Sequence, residues 1–438
     1  MLETMRNAWK IDELRKKILF TLFIVLLYRI GNAVPVPYVD VNTLSTYFDQ
    51  MSNTVFGLYN VMSGGAFSTA TIFALSIQPY INASIIIQLL TIAIPALERL
   101  QKEGGEEGKK KLASITRYST VGLGLVQGFG YYMLMLNQTN NPSGLPILSG
   151  TGIWPAIVIV LTLTAGSALI MWLGEQITEF GIGNGISIIL FASIVSRFPT
   201  QVATMGTSVF NGTLQWWLAV LLLIGALAII VLIVVVTNAE RRIPIQYSKR
   251  VVGRKMYGGQ STHLPMKVNM SGVLPVIFAQ SITSLLPTIL GLAGVTKDSG
   301  GFWGGVLTAL DMTSPIYAIV YLLLIVFFSY FYSTIQFDPV EISNNLRKNG
   351  GFIPGYRPGR PTIDFIRKSL NKITLFGAVY LGIIAVVPLI IGMVSPEASN
   401  MGISLGGTSV IIVVGVALET VKALEAQMIM RNYKGFLE

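Results

Sequence analysis

The sequence predicts an all-α polytopic membrane protein, and three observations support this prediction. Hydrophobic residues make up 52% of the 438 residues and charged residues only 12%, whereas a soluble domain carries about 25% charged residues. Apolar stretches long enough to cross a hydrocarbon core of ~30 Å recur along the chain. Lysine and arginine are concentrated in alternate loops. Together these features exclude a water-soluble body of this length.

The N-terminal segment 1–17 predicts an amphipathic helix at the membrane surface, because it is basic and places Met5 and Trp9 one turn apart. The apolar run 18–36 follows it. No small-residue cleavage site follows that run, so we interpret it as a retained first span rather than a secretory signal.

Nine further spans bring the predicted number of crossings to ten. They lie at about 75–97, 113–136, 153–173, 182–199, 214–238, 270–293, 315–336, 373–393 and 402–424. We divide the chain into an N-terminal half, 1–201, with spans 1–5 and a C-terminal half, 202–438, with spans 6–10. Five crossings in each half require the halves to be inverted if they share a fold.

The distribution of positive charge predicts the orientation of the chain. Segments on one side of the predicted membrane carry 28 of the 31 Lys and Arg residues, whereas the opposite loops carry only Arg197 and Lys297. Under the positive-inside rule the first side is cytoplasmic. We therefore expect both termini in the cytoplasm.

The predicted spans lack the residues that intramembrane catalysis or ion coupling requires. Apart from Arg29, their ionisable residues lie near span ends. Coupled transporters use intramembrane carboxylates or histidines, and intramembrane hydrolases need a nucleophile with its base, or clustered metal ligands. Cysteine is absent and the single His263 lies in a charged loop. We expect no enzymatic activity, cofactor or metal site; a secondary transporter and a membrane-embedded enzyme are the alternatives from other classes.

One stretch interrupts the pattern of simple spans. Gly64–Phe73 opens with two glycines and is only moderately apolar; as a helix rising ~1.5 Å per residue it would reach about half way through the membrane. Interrupted backbone is tolerated at that depth only inside a protein or beside a water-filled cavity. We expect this segment to act as a mobile stopper in a channel, with Ile77 and Ile81 just below it.

Two long basic loops, 239–269 and 337–372, are the other unusual feature. Ile243–Val252 alternates well enough to form a short strand or hairpin arm, and prolines and glycines give Gly350–Pro361 a fixed, turn-rich shape. Basic loops of defined shape on one face suit docking to an acidic partner or to RNA phosphate.

The chain resembles the SecY family of bacterial protein-translocation channels over essentially its whole length. The motifs that carry the resemblance are Ser63-Gly-Gly-Ala-Phe-Ser, Ile72-Phe-Ala-Leu-Ser-Ile-Gln-Pro-Tyr-Ile81, Gly181-Ile-Gly-Asn-Gly-Ile-Ser187, Pro354-Gly-Tyr-Arg-Pro-Gly359 and Gly406-Gly-Thr-Ser409. The resemblance implies two inverted five-helix halves around an hourglass pore. It also implies a re-entrant plug helix formed by Gly64, Gly65, Ala66, Phe67, Ser68, Thr69, Ala70, Thr71, Ile72 and Phe73.

The resemblance further implies three sets of functional residues. A constricting apolar pore ring is carried by Ile77, Ile81, Ile186, Leu190, Ile277 and Ile412, with Ile411 as the alternative to the last. A lateral gate lies between spans 2 and 3 and spans 7 and 8, with Gln88 and Gln280 as polar candidates. The basic loops dock partners, for which the candidates are Arg242, Lys249, Arg250, Arg254, Arg357 and Arg360, with Arg357 at the family's key arginine.

The function implied by the resemblance is a passive protein-conducting channel in the bacterial plasma membrane. Such a channel translocates secretory polypeptides and inserts membrane proteins laterally, driven by a partner motor or the ribosome. The implied partners are the SecE and SecG membrane subunits, the SecA motor ATPase, the ribosome through its RNA phosphate, signal peptides, nascent chains and membrane lipid.

Overall fold

Long helices dominate the computed structural model of the chain. The structure describes residues 2–50, 55–136, 146–212, 215–247, 250–252, 255–257, 261–270, 272–292, 301–312, 314–394 and 406–434. Within these ranges the helices are α1 Leu2–Lys10, α2 Asp12–Gly31, α3 Val41–Gln50, α4 Val55–Met62, α5 Gln78–Ala93, α6 Pro95–Lys102, α7 Gly105–Leu136, α8 Ile153–Phe180, α9 Gly185–Phe210, α10 Trp216–Asn238, α11 Leu274–Leu292, α12 Gly301–Ala309, α13 Pro315–Gln336, α14 Pro339–Lys348, α15 Arg360–Val394 and α16 Gly406–Lys434.

Each of the ten predicted spans overlaps one of these helices. They are α2, α5, α7, α8, α9, α10, α11, α13, α15 and α16. Within the described ranges, six helices are long and apolar enough to cross a membrane, and a seventh crossing is added if α5 and α6 count as one span. Those two helices meet at an angle of 105°, where Ile94 is extended in front of Pro95. The chain is therefore a multi-pass membrane protein, and the count of ten stays a prediction.

The glycine-rich start of α9 shows how one sequence motif sets the packing of two helices. The Asn184 side chain caps α9 by accepting hydrogen bonds from the backbone N–H groups of Ile186 and Ser187, at 3.1 and 3.4 Å. A Cβ at Gly185 would stand 1.9 Å from the carbonyl oxygen of Gly174 on α8. Only glycine therefore permits α8 and α9 to approach this closely.

The fold is mostly helical, as predicted, and the described strands lie in the two basic loops. These are β1 Glu240–Tyr247, β2 Arg250–Val252, β3 Lys255–Tyr257, β4 Ser261–Lys267 and β5 Gly351–Phe352. The first loop forms an antiparallel β1–β4 hairpin and a small β2–β3 ladder. From the second loop, β5 pairs with β1 to give the strand order β4-β1-β5. The strand predicted over Ile243–Val252 is thus confirmed in part, and the two loops form one body.

Hydrophobic packing joins the two basic loops beneath this sheet. Ile243 of β1 and Met266 of β4 are buried against Ile353, just beyond β5, and against Ile366 and Leu370 of α15. α15 continues from this body into the predicted span 9. The sheet body formed by β1, β4 and β5 is therefore joined to the bundle through one continuous helix.

The two ends of the described chain lie together. Thr4 on α1 donates a hydrogen bond to the Glu425 carboxylate on α16, at 3.2 Å, and Ala8 and Leu14 share a buried cluster with Leu424. The amphipathic helix predicted over 1–17 is shorter in the structure: α1 ends at Lys10, and residues 12–17 belong to α2. At the predicted boundary between the halves, α9 continues without a break to Phe210, so the division at 201/202 falls within a helix and stays a prediction.

Candidate functional site

The segment predicted to be the plug helix, Gly64–Phe73, folds as a series of turns rather than a helix. Gly64 and Gly65 have φ values of +68° and +97°, which glycine adopts without steric cost. The segment pairs with the extended chain after α2: the Val36 N–H donates to the Ala70 carbonyl at 2.8 Å, and the Ile72 N–H donates to the Val34 carbonyl at 3.0 Å. These external hydrogen bonds replace those that a helix would make internally.

The plug segment, which we expected to be mobile, is packed in an aromatic cage around Phe67. Phe67 is buried, with ring centroids 4.6 Å from Tyr131, 5.0 Å from Phe48 and 5.8 Å from Tyr59. Phe56 stacks on it from α4 at 6.1 Å. The Tyr131 hydroxyl also donates a hydrogen bond to the Phe67 carbonyl. The sequence signal was weak because the cage combines the adjacent α4 with α3 and with α7, whose Tyr131 is 64 residues from Phe67.

Tyr28 on α2 contacts both ends of the plug segment. Its hydroxyl donates to the carbonyl of Ser63 at 3.3 Å and lies 2.7 Å from the Ser193 hydroxyl on α9. Its ring stacks on Phe73, with centroids 5.7 Å apart and an interplanar angle of 8°. Asn32 also donates to the Ser63 carbonyl, at 3.3 Å. α2 thus holds the start and the end of the plug segment against α9.

The structure brings the predicted pore-ring residues together in one hydrophobic cluster. Four helices contribute them: Ile77 and Ile81 at the start of α5, Ile186 and Leu190 on α9, Ile277 on α11 and Ile412 on α16. All are buried except Ile186, which is partly buried against the same cluster. Ile411 is also buried there, so burial alone does not choose between it and Ile412. Met62 and Phe73, which flank or end the plug segment, belong to this cluster too.

The predicted gate glutamines make polar contacts between the N-terminal and C-terminal helices. Gln88 on α5 accepts a hydrogen bond from the Tyr332 hydroxyl on α13, at 2.7 Å. Gln280 on α11 donates to the thioether sulfur of Met62, at 3.6 Å, and Gln78 on α5 donates to the same sulfur at 2.8 Å. The Gln88 contact joins α5 to α13, which belong to the two sides of the predicted gate. The Gln280 contact instead joins α11 to α4, which lies outside the predicted gate helices.

Sequence reasoning missed Tyr28, Met62 and Tyr332. Tyr28 and Tyr332 are polar groups in otherwise apolar runs, and buried tyrosine hydroxyls usually find a hydrogen-bond partner. A tyrosine in an apolar run therefore predicts a buried hydrogen bond, but it does not identify the residue that shares the bond. Met62 gave no signal, because methionine is an ordinary core residue.

The structure describes the side chains of three of the six docking candidates. Arg357 and Arg360 are exposed, and Arg242 forms an ion pair with Glu240 through Nε and Oε1 at 2.7 Å. Arg250 lies on β2, at a position whose side chain the structure does not describe, and Lys249 and Arg254 lie outside the described residues.

The backbone around Arg357 is held firmly, although its side chain is free to reach a partner surface. Its carbonyl accepts a hydrogen bond from the buried Thr362 hydroxyl at 2.8 Å. The neighbouring Tyr356 ring packs on Phe365, with centroids 4.2 Å apart. The turn therefore presents a positive charge at a fixed place on the sheet body.

Comparisons with known proteins agree with this arrangement. The SecY family model matches residues 71–421. The chain is 44% identical to the protein translocase subunit SecY of Streptomyces scabiei and 43% identical to that of Mycobacterium tuberculosis (strain ATCC 25618 / H37Rv), in each case over 100% of both chains.

Solved channel structures share the fold at low sequence identity. A structure described as that of a protein conducting channel superposes with a TM-score of 0.67 at 18% identity, covering 94% of this chain and 92% of that one. The Sec61 channel of a canine ribosome-channel complex gives a TM-score of 0.63 at 16% identity, with the same coverage. From the full-length relatives and the matching family model together, we conclude that the chain belongs to the SecY family.

Proposed function

We propose that this chain forms the protein-conducting channel through which secretory polypeptides cross the membrane and membrane proteins enter it laterally. The observation that carries the proposal is that the pore-ring residues of α5, α9, α11 and α16 all belong to the buried core cluster of the bundle, which also contains Met62 and Phe73 beside the plug segment. A constriction with an adjoining stopper fits a channel that is closed at rest. The polar seam between α5 and α13 fits a gate that opens towards lipid.

The apolar character of the ring explains how such a pore can seal without a charged filter. A narrow hydrophobic constriction excludes water, so a small ion meets a dehydration barrier there. A polypeptide in transit fills the same constriction, and aliphatic side chains can adjust around residues of different shape. The pore is passive in this proposal, and a partner supplies the energy.

We place the chain in the bacterial plasma membrane with both termini in the cytoplasm. The contact between Thr4 and Glu425 supports a common side for the two ends, and the excess of Lys and Arg on that side supports a cytoplasmic location. The sheet body of β1, β4 and β5 then faces the cytoplasm as well.

We assign the sheet body as the docking surface for the SecA motor ATPase and for ribosomal RNA phosphate. Two solved relatives support a ribosomal partner: the canine Sec61 channel and the yeast Ssh1 complex, whose structure is described as bound to the 80S ribosome. Arg357 and Arg360 provide exposed positive charge at this surface. SecE and SecG are the proposed partners within the membrane, where many apolar side chains of α2 and α10 are exposed.

Photo-crosslinking to a stalled secretory chain tests the proposed path. A photoreactive residue would replace Ile81 or Ile277, and a matched control would replace Ile224, which is 62% exposed on α10. We expect the stalled chain to crosslink to the two ring positions and not to position 224. Equal crosslinking at all three positions, or none at the ring, would contradict the proposal.

A further inference from the structure

Two buried glutamine side chains donate hydrogen bonds to the same methionine sulfur at the seam between α5 and α11. Gln78 and Gln280 donate from their Nε2 atoms to the Met62 Sδ atom, at 2.8 and 3.6 Å. All three side chains are almost completely buried, with Gln78 and Gln280 each 4% exposed and Met62 3% exposed. The Oε1 atom of Gln280 has no hydrogen-bond partner within the described part of the chain.

This arrangement leaves strong hydrogen-bonding groups poorly satisfied. A thioether sulfur is a weak acceptor, whereas each glutamine amide has two donors and a carbonyl acceptor. A buried polar atom without a partner costs free energy, and such an atom in a folded protein calls for an explanation. The seam therefore favours any occupant that offers the amides better partners.

The occupant that matches these groups is a peptide backbone. Each peptide unit presents one N–H donor and one carbonyl acceptor, which are the complements of the glutamine carbonyl and amine. Backbone groups are the same at every residue, so recognition of this kind does not depend on the side chains of the passing chain. Gln78 also lines a small pocket beside Phe67, so there is some space next to its amide.

We propose that Gln78 and Gln280 form a binding site for the backbone of the translocating polypeptide, which Met62 masks when the plug segment is seated. The inference rests on the proposed channel function and adds a specific contact to it. Met62 ends α4, two residues before Gly64, and the Ser76 hydroxyl holds its carbonyl at 3.3 Å. Movement of the plug segment would carry the sulfur away and release both amides to the incoming chain.

Backbone N-methylation of a synthetic signal peptide tests the site, because it removes one N–H donor at a time. The channel would be purified with its membrane partners in lipid nanodiscs, and peptide affinity would be measured for the parent and for Gln280→Met. Methionine keeps the length of glutamine and removes the amide. We expect methylation at one or two peptide positions to weaken binding to the parent about fivefold or more, and this sensitivity to disappear in Gln280→Met.

Two further variants separate this site from general effects on the gate. Gln88→Met should keep the sensitivity to methylation, because the Gln88 oxygen already accepts from Tyr332. Met62→Leu should strengthen binding of the unmethylated peptide, because it removes the competing acceptor while nearly conserving volume.

The results distinguish a failure of this inference from a failure of the proposed function. The site is ruled out if no peptide position is sensitive in the parent, or if Gln280→Met keeps the same sensitivity. It is also ruled out if Gln88→Met abolishes the sensitivity equally, and unchanged affinity in Met62→Leu rules out the masking. A parent channel that neither binds nor translocates the unmethylated peptide would instead contradict the channel function itself.

Discussion

Removing one hydroxyl, by Tyr28→Phe, should increase spontaneous opening of the resting channel. The substitution keeps the ring that stacks on Phe73 and removes the contacts to the Ser63 carbonyl and the Ser193 hydroxyl. Neither partner is left unpaired, because Asn32 still donates to the Ser63 carbonyl and Ser193 still donates to the Ile189 carbonyl. The cost is therefore that of an ordinary hydrogen bond, about 1 kcal/mol, rather than that of a buried unsatisfied group.

Only the contact that breaks on opening affects the ratio of open to closed channels. The bond to Ser63 is lost when the plug segment leaves, whereas the bond between α2 and α9 through Ser193 can persist. Loss of about 1 kcal/mol from the closed state raises this ratio about fivefold.

Single-channel recording on the reconstituted protein measures that ratio directly. The matched control is Tyr330→Phe, which removes a tyrosine hydrogen bond to the Asn371 carbonyl between α13 and α15, at 3.2 Å. We expect openings to become more frequent in Tyr28→Phe and to stay at the parental frequency in Tyr330→Phe. If Tyr28→Phe opened as rarely as the parent, or if both variants opened equally often, Tyr28 could not be a residue that holds the plug segment in place.

Three other variants test the pore ring, the sheet body and the cap of α3. Ile277→Asn places an amide in the apolar cluster, and it should raise both the ion leak and the export of proteins with defective signal sequences. The control Ile277→Leu should raise neither. Channel recording measures the leak, and an export assay measures the second effect. Arg357→Glu should lower partner-driven translocation about tenfold or more, because charge reversal creates repulsion, while thermal stability is unchanged since the Arg357 side chain is exposed. Hydrogen bonds from the Thr43 side chain and the backbone at position 42 lower the pKa of Asp40. The capping of α3 by the Asp40 carboxylate should therefore be lost only as the pH falls through that lowered pKa. Hydrogen exchange in α3 should show this pH dependence in the parent and not in Asp40→Asn.

Hydrophobic periodicity and the charge distribution were sufficient to predict helices in the bundle, because lipid imposes one length and one backbone conformation on a simple span. Each of the ten predicted spans overlaps a described helix, although only six or seven of these helices are long and apolar enough to cross a membrane. The same rule does not apply to the plug segment or to the basic loops. Their conformations depend on partners far away in sequence, such as Tyr131 for Phe67 and β1 for β5. A pattern within the segment cannot specify those partners.

The same distinction holds within the candidate site. The apolar ring residues follow from helical spacing and family resemblance; they lie in the buried core of the bundle, and their arrangement as a ring stays a prediction. The contacts of Met62 could not be placed in this way, because they join side chains 16 and 218 residues apart along the chain. Such contacts follow from the packing of α4 against α5 and α11, which no local pattern encodes.

The turn conformation of the plug segment explains how it can be held firmly and still be removable. In a helix the carbonyls of Ser63 and Phe67 would be used internally, and only side chains could tie the segment to its surroundings. In the observed turns the Ser63 carbonyl accepts from Tyr28, and the Phe67 carbonyl accepts from Tyr131 as well as from the Ala70 N–H. Each tie is worth only about 1 kcal/mol, and water can replace the donors once the segment leaves. A set of weak ties of this kind can be broken one at a time, so the incoming polypeptide can displace the segment without unfolding any span.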